Sequence, residues 1–339
     1  MESHLGSVVS TVLAVLHHTP RCREMLLAAA PHCAALVSVA QVFKAMDGEV
    51  DDAGRQGSLA IQHAVAKFIE EHNPFPHDGR ADAYEAFALY LDLLNSLYEK
   101  SCTDLVAKFG KPFDCFEIKI NNFLACQTCG HYSEMTESTI SVPISANFET
   151  IYNGIANFKA VEVIDGYHCS GCKGSTTIDK GTKLHSSSDT LIIQIKRAEF
   201  SYETFQIVKN SKKVHFDLTL SSEQLGLQEH AHFELVSVLV HLGNFQTGQN
   251  HFYVRGPIGA PANSPQEVVG DITPVQAWES TPASSPEFAD LHRGWTKMSD
   301  FKLTPATMED LARTIGPGAL NPLAYLLCYK KTTPAAPLA

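Results

Sequence analysis

The sequence has no uninterrupted apolar run of the roughly 18 residues a bilayer-crossing helix needs, so no transmembrane helix is expected. Cations are also scarce: 26 Lys and Arg face 37 Asp and Glu, leaving a net charge of −11. That balance argues against a basic face for direct nucleic-acid binding. The 16 histidines form no HExxH or comparable array, so no catalytic metal is implied. Residues 5–16 are apolar, but no basic stretch precedes them and no small-residue cleavage site is evident, which argues against a secretory signal. No internal repeat is visible. With 44% hydrophobic and 19% charged residues, the chain has ordinary globular composition and material for a substantial core.

Against these absences stand two cysteine pairs, Cys126-Gln-Thr-Cys129 and Cys169-Ser-Gly-Cys172. A CxxC spacing lets two thiolates point at one ion, and two pairs close a tetrahedral Zn2+ shell with no position left for water. One structural zinc is therefore expected on Cys126, Cys129, Cys169 and Cys172, tying together two distant parts of the chain. The bland alternatives are four unmetallated thiols or a redox pair, and a redox motif needs only one CxxC, near a βαβ pattern. His131 and His168 flank the cysteines and read as neighbours of the site, since four thiolates suffice. Of the nine cysteines, Cys22, Cys33, Cys102, Cys115 and Cys328 are scattered. They read as free thiols in a reducing, intracellular compartment, nucleus or cytoplasm first, with an organelle left open.

Three stretches follow one another. Residues 1–110 read as helical: Val8, Val9, Val12, Leu13, Val15 and Leu16 form an apolar helix that stops at Thr19-Pro20, and a second helix covers 21–29. Residues 47–58 and 73–79 read as breaks. The strongest helical period follows, with Tyr84, Phe87, Ala88, Leu91, Leu94 and Tyr98 on one stripe. From residue 111 the pattern turns to strands: Ile118 and Ile120, then 141–144, 191–195, 233–240, 251–254 and 323–329. Residues 256–293, rich in Pro, Ala, Ser and Glu, read as a long insertion. Helices first and strands later make an α+β chain.

In this order the motifs resemble the ubiquitin-specific protease family. The segment Arg80-Ala-Asp-Ala-Tyr-Glu-Ala-Phe87 resembles the family's QQDAxEFL helix start. The two cysteine pairs resemble its finger knuckles. Leu191-Ile-Ile-Gln-Ile-Lys-Arg197, Phe233–His241, Gly248–Arg255, Trp295–Asp300 and Ala324–Tyr329 resemble its later strands. The resemblance implies a papain-like fold: a helical thumb over 1–110, zinc-tied fingers and the start of the palm over 111–232, and the palm over 233–332 with the insertion at 256–293. Together these form one domain.

The family cleaves ubiquitin isopeptide bonds with a cysteine nucleophile, a histidine base and an Asp or Asn that orients the histidine. Counted back from Thr19-Pro20, the nucleophile position is Ser7; a two-residue shift gives Val9. The oxyanion-hole asparagine position is Glu2, whose carboxylate would repel a developing oxyanion. Gly248, Tyr253, Val254 and Arg255 align without a gap, which puts Gln249 at the base position, and the orienting position is Ser299. Glutamine has no proton to exchange near neutral pH. His251 and Asp300 are the substitutes to weigh, but His251 lies two strand residues along, about 6.5 Å away. The resemblance thus implies a pseudo-deubiquitinase. An active enzyme with displaced residues is one alternative, and a ubiquitin receptor is the other.

Asp82 and Glu85 match the family's two acids that hold the arginines of the ubiquitin tail, and read as one helix face. The plainer reading is two acids in a first turn favouring the helix dipole. Arg80 places a cation where that cationic tail would pass. The resemblance therefore implies protein partners in a multi-subunit complex, and ubiquitin bound weakly or not at all.

Overall fold

The computed structural model describes residues 4–47, 55–72, 82–243, 248–255, 294–299, 302–316 and 322–332. The chain opens with six helices: α1 (His4–His17), α2 (Pro20–Ala29), α3 (Ala34–Met46), α4 (Arg55–Glu71), α5 (Ala83–Ser101) and α6 (Thr103–Phe109). In α1, Val8, Val9, Val12, Leu13 and Leu16 are fully buried. A helix apolar around most of its circumference belongs at the centre of a bundle. It ends where Pro20 opens α2, a position at which proline's missing N–H is no loss. The expected loop over 47–58 is shorter than the sequence suggests, because α4 already begins at Arg55. Its buried Ile61, Val65 and Phe68 recur at helical spacing, a signal obscured by Gly57 and the surrounding polar residues. The break expected at 73–79 lies outside the described residues.

Two sheets follow. The smaller joins β1 (Ile118–Cys126), β2 (Tyr132–Thr139), β4 (Glu162–His168) and β5 (Ser175–Ser187) in the order β2-β1-β5-β4. The larger has eight strands. Its path runs β13-β12-β11-β10-β14-β6-β3, with β9 (Thr219–Ser221) beside β10. These are β3 (Val142–Ser145), β6 (Thr190–Lys196), β10 (His232–Leu242), β11 (Gln249–Arg255), β12 (Trp295–Ser299), β13 (Lys302–Ala306) and β14 (Leu323–Thr332). Thus β3, in the middle stretch of the sequence, pairs into the large sheet and not the small one. A hairpin of β7 (Ala198–Ser201) and β8 (Gln206–Lys209) stands apart, and the short helices α7 (Ile151–Phe158), α8 (Ser222–Leu225) and α9 (Met308–Arg313), with two 3-10 turns at Ala30–His32 and Pro112–Cys115, complete the described elements.

The large sheet is covered on both faces. Leu239, Phe252, Val254 and Met298 share one hydrophobic cluster with α1–α5, while Val238, Val240, Tyr253 and Trp295 share another with α7 and α9. Strand β14, buried from Leu323 to Tyr329, lies between β10 and β6, as a continuous apolar run requires.

Candidate functional site

The four paired cysteines sit at one end of the small sheet, where β1 runs into β2 and β4 into β5. Both turns have the same construction. The N–H of Gly130 donates to the Cys126 carbonyl and that of Lys173 to the Cys169 carbonyl, each at 2.9 Å. Each turn then passes through a positive φ, 69° at Gly130 and 60° at Lys173. The four sulfurs lie within 4.8 Å of one another, and those of Cys129 and Cys169 are 3.7 Å apart. Metal–sulfur bonds of about 2.3 Å in a tetrahedron require sulfur separations of about 3.8 Å, so the arrangement fits one ion. The Cys126 thiol is drawn down to about 6, chiefly by the Cys129 main-chain N–H. His131 and His168 are exposed, and His131 meets the Ser170 hydroxyl at 3.1 Å.

At the positions where the sequence resemblance expects the catalytic residues, α1 brings Ser7 to β11. The Ser7 hydroxyl donates to the main-chain carbonyl of Asn250 at 3.2 Å, and the Ser7 carbonyl accepts from the hydroxyls of Ser10 and Thr11 at 2.9 and 2.7 Å. Gln249, one residue away on the strand, is exposed. Strand β11 runs against β10 and β12 without a register shift, and His251 faces Ser299 directly. No bulge therefore moves His251 into the place of Gln249, and its side chain is 5% exposed. By strand alternation Gln249, His251 and Ser299 share one face of the sheet, while Phe252, Val254 and Met298 face the helices. Gly248 allows a close approach at the start of β11: a Cβ there would lie 2.0 Å from Nε2 of His241. Glu2, Arg80, Asp300 and residues 256–293 lie outside the described residues.

Asp82 and Glu85 stand side by side at the start of α5, with Glu85 in its first turn. Asp82 precedes α5 as its N-cap, accepting from the N–H groups of Tyr84 at 2.8 Å and Glu85 at 3.3 Å. A side chain bonded to the first turn's own amides satisfies donors that the helix leaves open. Burial raises the Asp82 carboxyl above its ordinary value, against those two N–H bonds. Glu85 is exposed one turn on.

Two further residues near this site, Lys209 and Arg197, are given no role by the sequence, although Arg197 lies in one of its motifs. Lys209, at the end of β8, donates to the carbonyls of His241 and Gly243 at 2.7 and 2.9 Å, so the β7–β8 hairpin is tied to the start of the β10–β11 connection. Burial, with the charge of Arg197 adding to it, pulls Lys209 down to about 8. Arg197 is itself buried and donates to the carbonyls of Ala324, Asn210 and Lys212. The β7–β8 hairpin returns Asn210 and Lys212 to Arg197, and the pairing of β14 with β6 brings the Ala324 carbonyl within reach.

A helical layer, a covered large sheet and a cysteine-tipped smaller sheet together are the ubiquitin-specific protease fold, with thumb, palm and fingers. The family model "Ubiquitin carboxyl-terminal hydrolase" matches residues 7–329, and the chain belongs to that family. Among curated relatives, ubiquitin carboxyl-terminal hydrolase 13 of Saccharomyces cerevisiae is 23% identical over 180 residues, 48% of this chain and 24% of that protein. Ubiquitin carboxyl-terminal hydrolase 17 of Arabidopsis thaliana is 25% identical over 51% of this chain and 25% of its own length. The mouse ubiquitin carboxyl-terminal hydrolase 40 is 24% identical over 73% of this chain and 21% of its length. The alignments thus take in a quarter or less of those relatives. Among solved structures, the SAGA DUB module Ubp8/Sgf11/Sus1/Sgf73 bound to monoubiquitin superposes with a TM-score of 0.69 at 16% identity, covering 96% of this chain and 67% of that one. The same module bound to ubiquitin aldehyde gives 0.68 at 15% identity, covering 98% and 69%.

Proposed function

We propose that this is a catalytically silent ubiquitin-specific-protease domain that works as a protein-interaction subunit of a larger intracellular assembly. The observation that carries the reading is the Ser7–Asn250 bond beside Gln249. The hydroxyl at the nucleophile position points at a carbonyl oxygen, which takes no proton from it. Gln249, which the resemblance puts at the base position, is an amide, and Ser299, which it puts at the orienting position, has neither carboxylate nor amide and faces His251 on β11. An alcohol is a far weaker acid than a thiol of pKa about 8.5, so it needs a working base more, not less. His251 is buried in unshifted register, which speaks against its standing in.

One zinc on Cys126, Cys129, Cys169 and Cys172 would stiffen the fingers without taking part in chemistry, since four sulfurs leave no open coordination position. A subunit role is supported by analogy with the SAGA DUB module, which is solved together with three other proteins. Ubiquitin affinity is weak in this reading, because Asp82 is engaged in capping α5. In the same reading the thumb takes residues 1–110, the fingers and early palm 111–232, and the palm 233–332. Native co-purification with subunit identification, beside a ubiquitin titration, tests the role: a stable heteromeric assembly without saturable ubiquitin binding supports it. A lone chain binding ubiquitin at low micromolar concentration would make it a receptor instead.

A further inference from the structure

The fingers sheet has two outer strands, and they are built differently. Strand β4 is interrupted, with a register shift between Ile164 and Tyr167 at Gly166, whose φ is 74°. Such a kink blunts an edge against further pairing. Strand β2 has no such feature. It pairs with β1 in unbroken register from Tyr132 to Thr139, contains neither proline nor lysine, and is exposed along almost its whole length. Among the described residues no strand lies beyond it.

The direction of its free groups follows from the hydrogen bonds at the end of β1. The Cys126 N–H donates to the His131 carbonyl at 2.9 Å, and the Gln127 N–H turns the other way, to Thr177 at 3.1 Å. In an antiparallel ladder the inward-bonding residues alternate. Ser133, Met135 and Glu137 therefore bond to β1, while Glu134, Thr136 and Ser138 present their N–H and C=O groups to the open side. The charged side chains of β2 are Glu134 and Glu137, on opposite faces of the sheet. A second copy of this chain is a poor occupant, because edge-to-edge pairing would gather two Glu134 and two Glu137 carboxylates at one seam with no cation on either strand.

We propose that β2 is a strand-addition site for an extended, lysine- or arginine-bearing segment of a partner protein. The segment would pair with the outward main-chain groups of Glu134, Thr136 and Ser138 and set its cations against Glu134 and Glu137. The chain's net charge of −11 favours the approach of such a segment. This deepens the subunit reading by naming a surface, and it stands or falls separately from it.

The probe is a capped synthetic peptide alternating lysine with threonine, with a glutamate-for-lysine peptide as its counterpart. Amide exchange resolved to single residues is the readout. Without peptide, Glu134, Thr136 and Ser138 should exchange fast and Ser133, Met135 and Glu137 slowly. The basic peptide should slow the outward set at least tenfold, in a saturable way, and the acidic peptide should not. Thr136→Pro removes an outward N–H and leaves the β1 ladder intact, so it should abolish the effect while the inward amides stay protected. Loss of inward protection in that variant would mark a damaged sheet, and Glu134→Lys/Glu137→Lys, which keeps the backbone, then decides: retained binding of the basic peptide overturns the proposal. Equal protection by both peptides, no protection of the outward set, or protection that grows with protein concentration alone would each overturn it too. If co-purifying subunits remain on the Thr136→Pro protein while the peptide effect is absent, the subunit reading survives and the edge proposal does not.

Discussion

The hydroxyl of Ser7 and the main-chain carbonyl of Asn250, 243 positions apart, are joined by a 3.2 Å hydrogen bond. This contact adds to the apolar packing that joins the first thumb helix to the palm strand carrying Gln249, and it uses the hydroxyl as a donor to a group that takes no proton. A catalytic dyad would need the reverse relation, with the nucleophile's proton aimed at a basic nitrogen.

The metal site should hold one zinc per chain, read by elemental analysis of protein purified without chelator. Zinc binding to isolated structural sites is worth on the order of 10–16 kcal/mol. Chelation should therefore expose the small sheet to proteolysis first, with the thumb still protected. Cys129→Ser should do the same without any chelator. Protein free of zinc, or chelation that leaves the fingers as resistant as before, contradicts the assignment.

Asp82 should behave as a cap. Asp82→Ala should lower stability by about 0.5–2 kcal/mol in chemical denaturation, and Asp82→Asn should lose much less, because asparagine also caps. Glu85→Ala, at an exposed position, should stay within about 0.5 kcal/mol. Equal losses for Asp82→Ala and Glu85→Ala would show that capping is not the role of Asp82.

The histidines at the end of α1 should make the fold acid-sensitive. His18 is held well below its ordinary value, first by burial and then by His17 and Arg23, and His17 is lowered by burial despite its bond to Asp47. A histidine lowered in the fold binds fewer protons than in the unfolded chain. Stability from this source is complete above the unfolded value of about 6.5 and falls as pH drops below it, by up to about 1.4 kcal/mol per pH unit for each group. Denaturation midpoints at about pH 7.5 and 5.5 should show the loss, and His18→Asn should shrink it. An unchanged pH slope in that variant would assign the effect elsewhere.

How much of this was legible in the sequence depends on range. The cysteine pairs are local patterns, and the structure gathers their sulfurs into one cluster. The apolar runs of α1 and β14 likewise announce themselves, because a buried element needs apolar side chains whatever surrounds it. The capping by Asp82 is local too, but the Asp-x-x-Glu spacing fits a cap as well as a binding face, so the sequence alone does not separate the two. Helix α4 hides behind Gly57 and a polar start, and tertiary packing of Ile61, Val65 and Phe68 overrides those residues. The roles of Lys209 and Arg197 are less legible, because Lys209 bonds the carbonyls of His241 and Gly243 and Arg197 adds that of Ala324, on β14, to its nearer partners Asn210 and Lys212. The Ser7–Asn250 contact belongs to the same kind: resemblance puts both segments near the cleft, but only the packed thumb and palm decide where the hydroxyl points.

The most direct test of catalytic silence is hydrolysis of a ubiquitin–fluorophore amide by the unmodified protein and three variants. Wild type should stay at the rate of buffer. Ser7→Cys should remain there as well, because its thiol would still lack a base, whereas Ser7→Cys/Gln249→His should show slow turnover if a restored thiol–imidazole pair is what the site lacks. Wild-type turnover above background that disappears in His251→Ala would contradict the account, and would make this chain a working deubiquitinase with a displaced base.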